Sequence, residues 1–259
     1  MMTAVIDVNL LVGPCPFRRI PSSAAEIERL RGEAGLERGI ATGFRSLFYY
    51  DPLEGLREDM REYESLSEWL RFHAVVHPEF PAIGEQVRRC AADKRIAGLR
   101  FCPALHGCRF DSPRLIDAVQ LAGRQGLPVS LMARLFDGRV APIALQQGSV
   151  DLDQLRTFLL QTQEVKIVLS MFFFSELREC KLNWPQLPNV YVDVGCSKPE
   201  ISSFDELPSW FPAQRAMLGA GAPLYYWRGS RLALEGARLT PEQKASILGG
   251  AAREVFRWG

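Results

Sequence analysis

The chain is poor in histidine. Its 259 residues hold only three, His73, His77 and His106, which leaves little material for an imidazole-built metal centre. Neither sign of charge is in excess: 31 Lys and Arg stand against 30 Asp and Glu, a net charge of +1. That balance lacks the basic footprint required by nucleic acid or an anionic membrane surface, so neither is expected as a partner. No apolar run is long enough to cross a bilayer; VKIVLSMFFF (165–174) stops at Ser175 and Glu176. The six cysteines, Cys15, Cys90, Cys102, Cys108, Cys180 and Cys196, show no CxxC spacing. The N-terminus also lacks the basic region and apolar run of a signal peptide, so a reducing cytoplasm is the expected location. No repeat, low-complexity tract or linker divides the chain, and one domain over residues 1–259 is expected.

What is present is a regular alternation. A hydrophobic fraction of 47% with 24% charged residues supplies a sizeable core. Eight short β-rich runs recur between amphipathic stretches: 4–12, 38–44, 71–78, 96–103, 127–133, 165–171, 189–195 and 215–223. Helix candidates between them carry turn chemistry at their ends. SSAAEIERLRGEAG opens on a Ser cap and stops at Gly35; DSPRLIDAVQLAGRQG has Asp111 as cap, Pro113 in its first turn and Gly126 at its end; the last opens on Thr240 and Pro241. Eight βα units predict a closed (β/α)8 TIM barrel, with ligands at the C-terminal ends of the strands.

The first strand end reads Asp7-Val8-Asn9-Leu10-Leu11-Val12-Gly13. With the order of the strand ends that follow, it resembles the amidohydrolase superfamily, in its amidohydrolase 2 or amidohydrolase-related branch, over nearly the whole chain. That family begins Asp-x-His-x-His-x-Gly, and its fifth, sixth and eighth strands add two histidines and an aspartate. The matching positions here hold Asn9, Leu11, Met132, Met171 and Gly221. The resemblance therefore implies the fold and an ancestry of hydrolases, lactonases and decarboxylases. It also implies a vacated metal site, because Leu and Gly offer no ligand, thioethers suit copper(I), and one amide oxygen does not make a hydrolytic zinc centre. No cofactor and no metal are expected. An unconventional site from His77, His106 and Asp193 or Cys196 is the alternative.

The expected mouth is rich in arginine instead: Arg45, Arg100, Arg109 and Arg134. Converging guanidinium groups hold carboxylates or phosphates, which implies a small anionic molecule as partner; pairing with Asp51, Asp111 or Asp137 is the structural alternative. Arg45, Tyr50, Arg100 and Arg134 are taken as substrate-binding residues. His106 is assigned as general acid or base and Asn9 as donor to an oxyanion, giving a metal-independent hydrolase of the lactonase or amidase kind. Ser46, Ser130 and Ser170 lack a nucleophile elbow, and Cys102 and Cys196 read as buried hydrophobes. The rival is a pseudoenzyme that serves as a binding or assembly partner, its mouth packed shut by Met132, Met171 and Phe172, Phe173 and Phe174. A homodimer is the expected assembly.

Overall fold

The computed structural model describes residues 4–136, 141, 149–195 and 203–258. Eight strands form one all-parallel sheet in sequence order: β1 (Val5–Val12), β2 (Leu36–Gly43), β3 (Leu70–Val75), β4 (Ile96–Phe101), β5 (Val129–Met132), β6 (Ile167–Ser170), β7 (Val190–Asp193) and β8 (Ala216–Met217). The first strand joins the segment after the eighth through Val8 N–H to Leu218 O at 2.9 Å, Gly221 N–H to Asn9 O at 2.8 Å and Leu11 N–H to Ala222 O at 2.7 Å. These bonds close the sheet into a (β/α)8 barrel. No helix among the described residues is long and apolar enough to cross a membrane.

The helices form where the caps predict them, with one exception. Ser23 caps α1 (Ala24–Ala34) in a capping box with Glu26, and Gly35 ends it in the left-handed region at φ 63°. Thr240 caps α11 (Pro241–Ala245) in the same way with Gln243. That helix continues through one π-helical turn (Ser246–Gly250) into α12 (Ala251–Phe256). The exception is α6 (Pro113–Arg124), whose cap is Ser112 and not Asp111. The Asp111 carboxylate is taken by Arg109, with both of its oxygens bonded at 2.8 Å, so it is not free to cap.

Outward residues of the strands, such as Leu10, Val12, Leu131, Leu169 and Val192, pack beneath the helices in the main core. Inside the barrel, Ile6, Val8, Ile40, Ala97, Val168, Tyr191 and Met217 fill the lower end with Val255 and Phe256 of α12. Leu11, Val75, Cys102, Met132 and Met171 fill the upper end with Phe44, Leu135 and Leu224. Layered filling of this kind is normal for the fold. Between the two apolar layers lies a polar one, and it forms the candidate site.

Candidate functional site

One irregularity of β1 places the site. Its register against β2 slips between Asp7 and Leu10, so adjacent residues Val8 and Asn9 both turn inward. Val8 joins the lower apolar layer, and the Asn9 Oδ1 accepts from Arg100 Nη1 at 2.7 Å. A bulge that re-aims one side chain beside a site is a recurrent device. On the facing strands, simple alternation brings in Ser130 below Met132, Ser170 above Val168 and Asp193 above Tyr191.

Arg100 sits at the centre, 1% exposed. Its Nε donates to Ser130 Oγ at 3.1 Å, its Nη2 to Ser170 Oγ at 3.4 Å, and the Met132 sulfur lies 3.9 Å from Nη1. Ser170 passes the interaction on, because its hydroxyl donates to Asp193 Oδ2 at 2.5 Å. The other Asp193 oxygen accepts from the backbone N–H groups of Met171 and Gly195, both at 3.2 Å. The Met171 N–H is held in this way with the residue in the left-handed region at φ 59°, a conformation that a non-glycine residue keeps only when its surroundings over-determine it. Arg134 supplies the second restraint, donating to Met171 O at 2.8 Å.

Two buried carboxylates, Asp193 and Asp7, act on Arg100 from a distance, and both are shifted by burial. Burial pushes the Asp193 carboxyl above its ordinary value, against the Ser170 hydroxyl and the Arg100 charge. Burial pushes Asp7 up to about 7, although it accepts from Asn9 N–H at 2.9 Å and from Ala220 N–H at 3.1 Å. An acid whose folded value lies above its unfolded one stabilises the fold at low pH and loses that contribution as pH rises. For Asp7 the loss runs from about pH 4 to about pH 7 and amounts to about 4 kcal/mol at most. Asp7→Asn is therefore expected to remove this slope from a plot of urea midpoint against pH and to match or exceed the parent at pH 8. Parallel curves for the two proteins would show that Asp7 does not carry the shift.

The five positions matched to metal ligands all lie in this region and are all buried: Asn9, Leu11, Met132, Met171 and Gly221. Gly221 adopts φ 65°, which favours glycine over any side chain bearing a carboxylate. Four of the five offer no oxygen, imidazole or thiolate, and Asn9 spends its oxygen on Arg100. Among the described residues no three His, Cys, Asp or Glu side chains are grouped as a cation needs. This donor set, with a guanidinium at its centre, does not fit a catalytic divalent metal.

The predicted binding arginines do not converge. Arg45 is enclosed by Asp59 and Glu62, each at 2.7 Å, and Glu58 at 3.4 Å. Arg134 forms a bidentate pair with Glu176 and lies 4.0 Å over the Phe173 ring. Arg109 is held by Asp111. The partner of Arg45 is thus Asp59 rather than Asp51, which instead caps α3 (Pro52–Glu62) through Leu53 N–H. Asp137 and Cys196 lie outside the described residues. Tyr50 stands 94% exposed beside Phe80. Phe172 and Phe174 do not line the mouth; they are buried in the core between barrel and helices.

His106, at the end of α5 (Pro103–His106), stacks on His77 with ring centroids 5.0 Å apart. Its ring meets His77 and the Leu47 backbone, the His77 Nε2 lies 3.3 Å from His106 O, and among the described residues it makes no contact with Asn9. Burial first, and then the His77 ring, bring His106 down to about 4, so it is neutral at pH 7. His77 and His106 do meet as the alternative metal site required, but Asp193 is committed to Ser170, Met171 and Gly195 in the barrel centre. His73 faces Phe256 at 5.5 Å in the lower layer.

The sequence order sets Arg100 at the mouth; the structure sets it one layer lower, supported by Ser130 and Ser170, with Asp193 behind Ser170. Strand parity carried that signal: Ser130 with Met132, and Ser170 with Val168, share the inward face of their strands.

Sequence comparison supplies the family. The amidohydrolase family model, Amidohydro_2, matches residues 64–258. No curated protein matches the chain in sequence. Among solved structures, the 5-carboxyvanillate decarboxylase of Sphingomonas paucimobilis superposes with a TM-score of 0.72 at 14% identity, covering 99% of this chain and 100% of its own. The probable 2-pyrone-4,6-dicarboxylic acid hydrolase of Acinetobacter baumannii, with citric acid bound, gives 0.67 at 14% identity over 98% and 99%. The dihydroxybenzoic acid decarboxylase of Polaromonas sp. JS666, with bound manganese and 2-nitroresorcinol, gives 0.69 at 14% identity over 99% and 97%. At such identities the likeness is one of fold.

Proposed function

The chain belongs to the amidohydrolase family, and from that membership we propose that it recognises a small carboxylated molecule at the C-terminal end of the barrel without a catalytic divalent metal. One observation carries the reading: Arg100, a buried guanidinium, lies in the ring of Asn9, Ser130 and Ser170 where metal-type donors are missing. A fixed cation there supplies charge to hold an anion or polarise a carbonyl. If turnover accompanies binding, it is of the hydrolase type. The free thiols of Cys15, Cys90, Cys102, Cys108 and Cys180 suit a reducing cytoplasm.

Related proteins act on carboxylated aromatics and a pyrone dicarboxylate, so the test is a thermal-shift panel of hydroxybenzoates and pyrone carboxylates, run with chelator and again with manganese. At least one compound is expected to raise the melting midpoint equally in both conditions. A rise that requires manganese would overturn metal independence.

A second reading rests on the upper layer. Leu11, Met132 and Met171 pack with Phe44, Val75 and Leu224 in one apolar cluster, as expected of a pseudoenzyme kept as a binding or assembly partner. A panel in which no carboxylate stabilises the protein favours it.

A further inference from the structure

The Asn9 side chain is fully buried, and among the described residues its Nδ2 donor has no hydrogen-bond partner. A flipped amide does not cure this, because it would turn the two amide hydrogens onto the guanidinium and deprive Arg100 of its 2.7 Å acceptor. Arg100 therefore fixes which way the orphan donor points. Among the described residues Arg100 is itself short of a direct counter-charge. Its contacts are neutral, an amide oxygen, two hydroxyls and a thioether, while Asp7 and Asp193 act on it from a distance.

Among the described residues, two donors thus stand side by side in the barrel centre, one charged without a touching anion and one neutral without an acceptor. We propose that Asn9 Nδ2 and Arg100 form the seat for the carboxylate of the bound molecule, an inference that rests on the carboxylate-recognition reading above and gives it an address. A carboxylate brings two acceptor oxygens and a negative charge, and so satisfies the amide and neutralises the guanidinium together. Water would satisfy the amide and leave the charge. The lid over the seat is built to move. The Met132 sulfur lies 3.9 Å from Arg100 and 3.8 Å from Cys102 Sγ, and unbranched thioether side chains change rotamer at little cost.

The seat is tested on the whole 15N-labelled protein by following the Asn9 side-chain NH2 resonances during titration with sodium formate, and separately with sodium chloride, at constant ionic strength. Formate is expected to move them saturably, with chloride at least tenfold weaker. Asn9→Asp places a carboxylate beside Arg100 and identifies the resonances by their loss. In that variant the saturable shift of the Arg100 Nε signal by formate should disappear, and in Arg100→Lys the formate affinity should fall tenfold or more. No formate response, an equal chloride response, or an unchanged Arg100 response in Asn9→Asp overturns the seat. If a larger carboxylate from the panel binds while the Asn9 amide stays still, the recognition reading stands and the seat falls. If formate seats and no larger carboxylate binds, the seat stands and the recognition reading falls.

Discussion

Arg100→Met is expected to lower the free energy of unfolding at pH 8, by about 1–3 kcal/mol for each buried acceptor left without its donor, and by clearly less at pH 5. The substitution keeps an unbranched side chain but strips Asn9 Oδ1, Ser130 and Ser170 of their donor. It also removes the Arg100 charge that acts on Asp193, a carboxylate only 2% exposed. At pH 8 that carboxylate must stay charged in an apolar setting or bind a proton from a dilute supply. Its affinity for protons is already raised by burial and rises further once the guanidinium is gone, so acidic solution offers an escape. Asp193→Asn in the same background should recover part of the loss, since an amide keeps acceptors for the Met171 and Gly195 N–H groups. Urea unfolding of the single and double variants at the two pH values measures the coupling. A penalty below about 1 kcal/mol at both would show that the network does not hold Arg100.

Gly43→Ala is the second severe substitution, and its cause is steric. A Cβ on Gly43 would lie 1.6 Å from Asp59 Oδ2 and 2.3 Å from its carboxyl carbon. Asp59 is completely buried, and its other oxygen is held by Arg45 at 2.7 Å, so it has nowhere to retreat without breaking that pair. Overpacking together with rupture of a buried ion pair should cost more than about 3 kcal/mol. Asp59→Ala is damaging alone for the second reason, yet it vacates the space the new methyl needs. The double variant should therefore be more stable than the sum of the two single losses allows. Strict additivity in denaturant midpoints would mean that the clash is relieved by some other movement.

The barrel was legible because its information is local. Eight apolar runs with punctuated amphipathic stretches between them define eight strands, and the Ser23 and Thr240 caps lie within reach of the residues they serve. The site was legible only in part. The matched strand ends located Asn9, Leu11, Met132, Met171 and Gly221 in one region, since position along a strand sets depth in the barrel. Counting every second residue fails at β1, where a register slip turns both Val8 and Asn9 inward. Partner choice fails for a different reason. Arg100 gathers Asn9, Ser130 and Ser170 from three other strands, 91, 30 and 70 residues away, and no spacing rule reaches that far. Arg45 finds Asp59 and not the nearer Asp51 because Gly43 leaves room for the Asp59 carboxylate at the strand end. Asp111 looked like a cap because it precedes Ser112 and Pro113, but a guanidinium two residues before it competes better for a carboxylate than one backbone N–H does.

Under the metal-independent reading proposed above, the central guanidinium also changes how the site answers to its surroundings. A bound metal is present only to the extent that its free concentration exceeds its dissociation constant, so starvation, chelation and competition between metals all set the active fraction by mass action. A cation carried on Arg100 is joined to the polypeptide by covalent bonds and is delivered once per chain at synthesis. Its occupancy is unity under every ionic regime in which the barrel is folded.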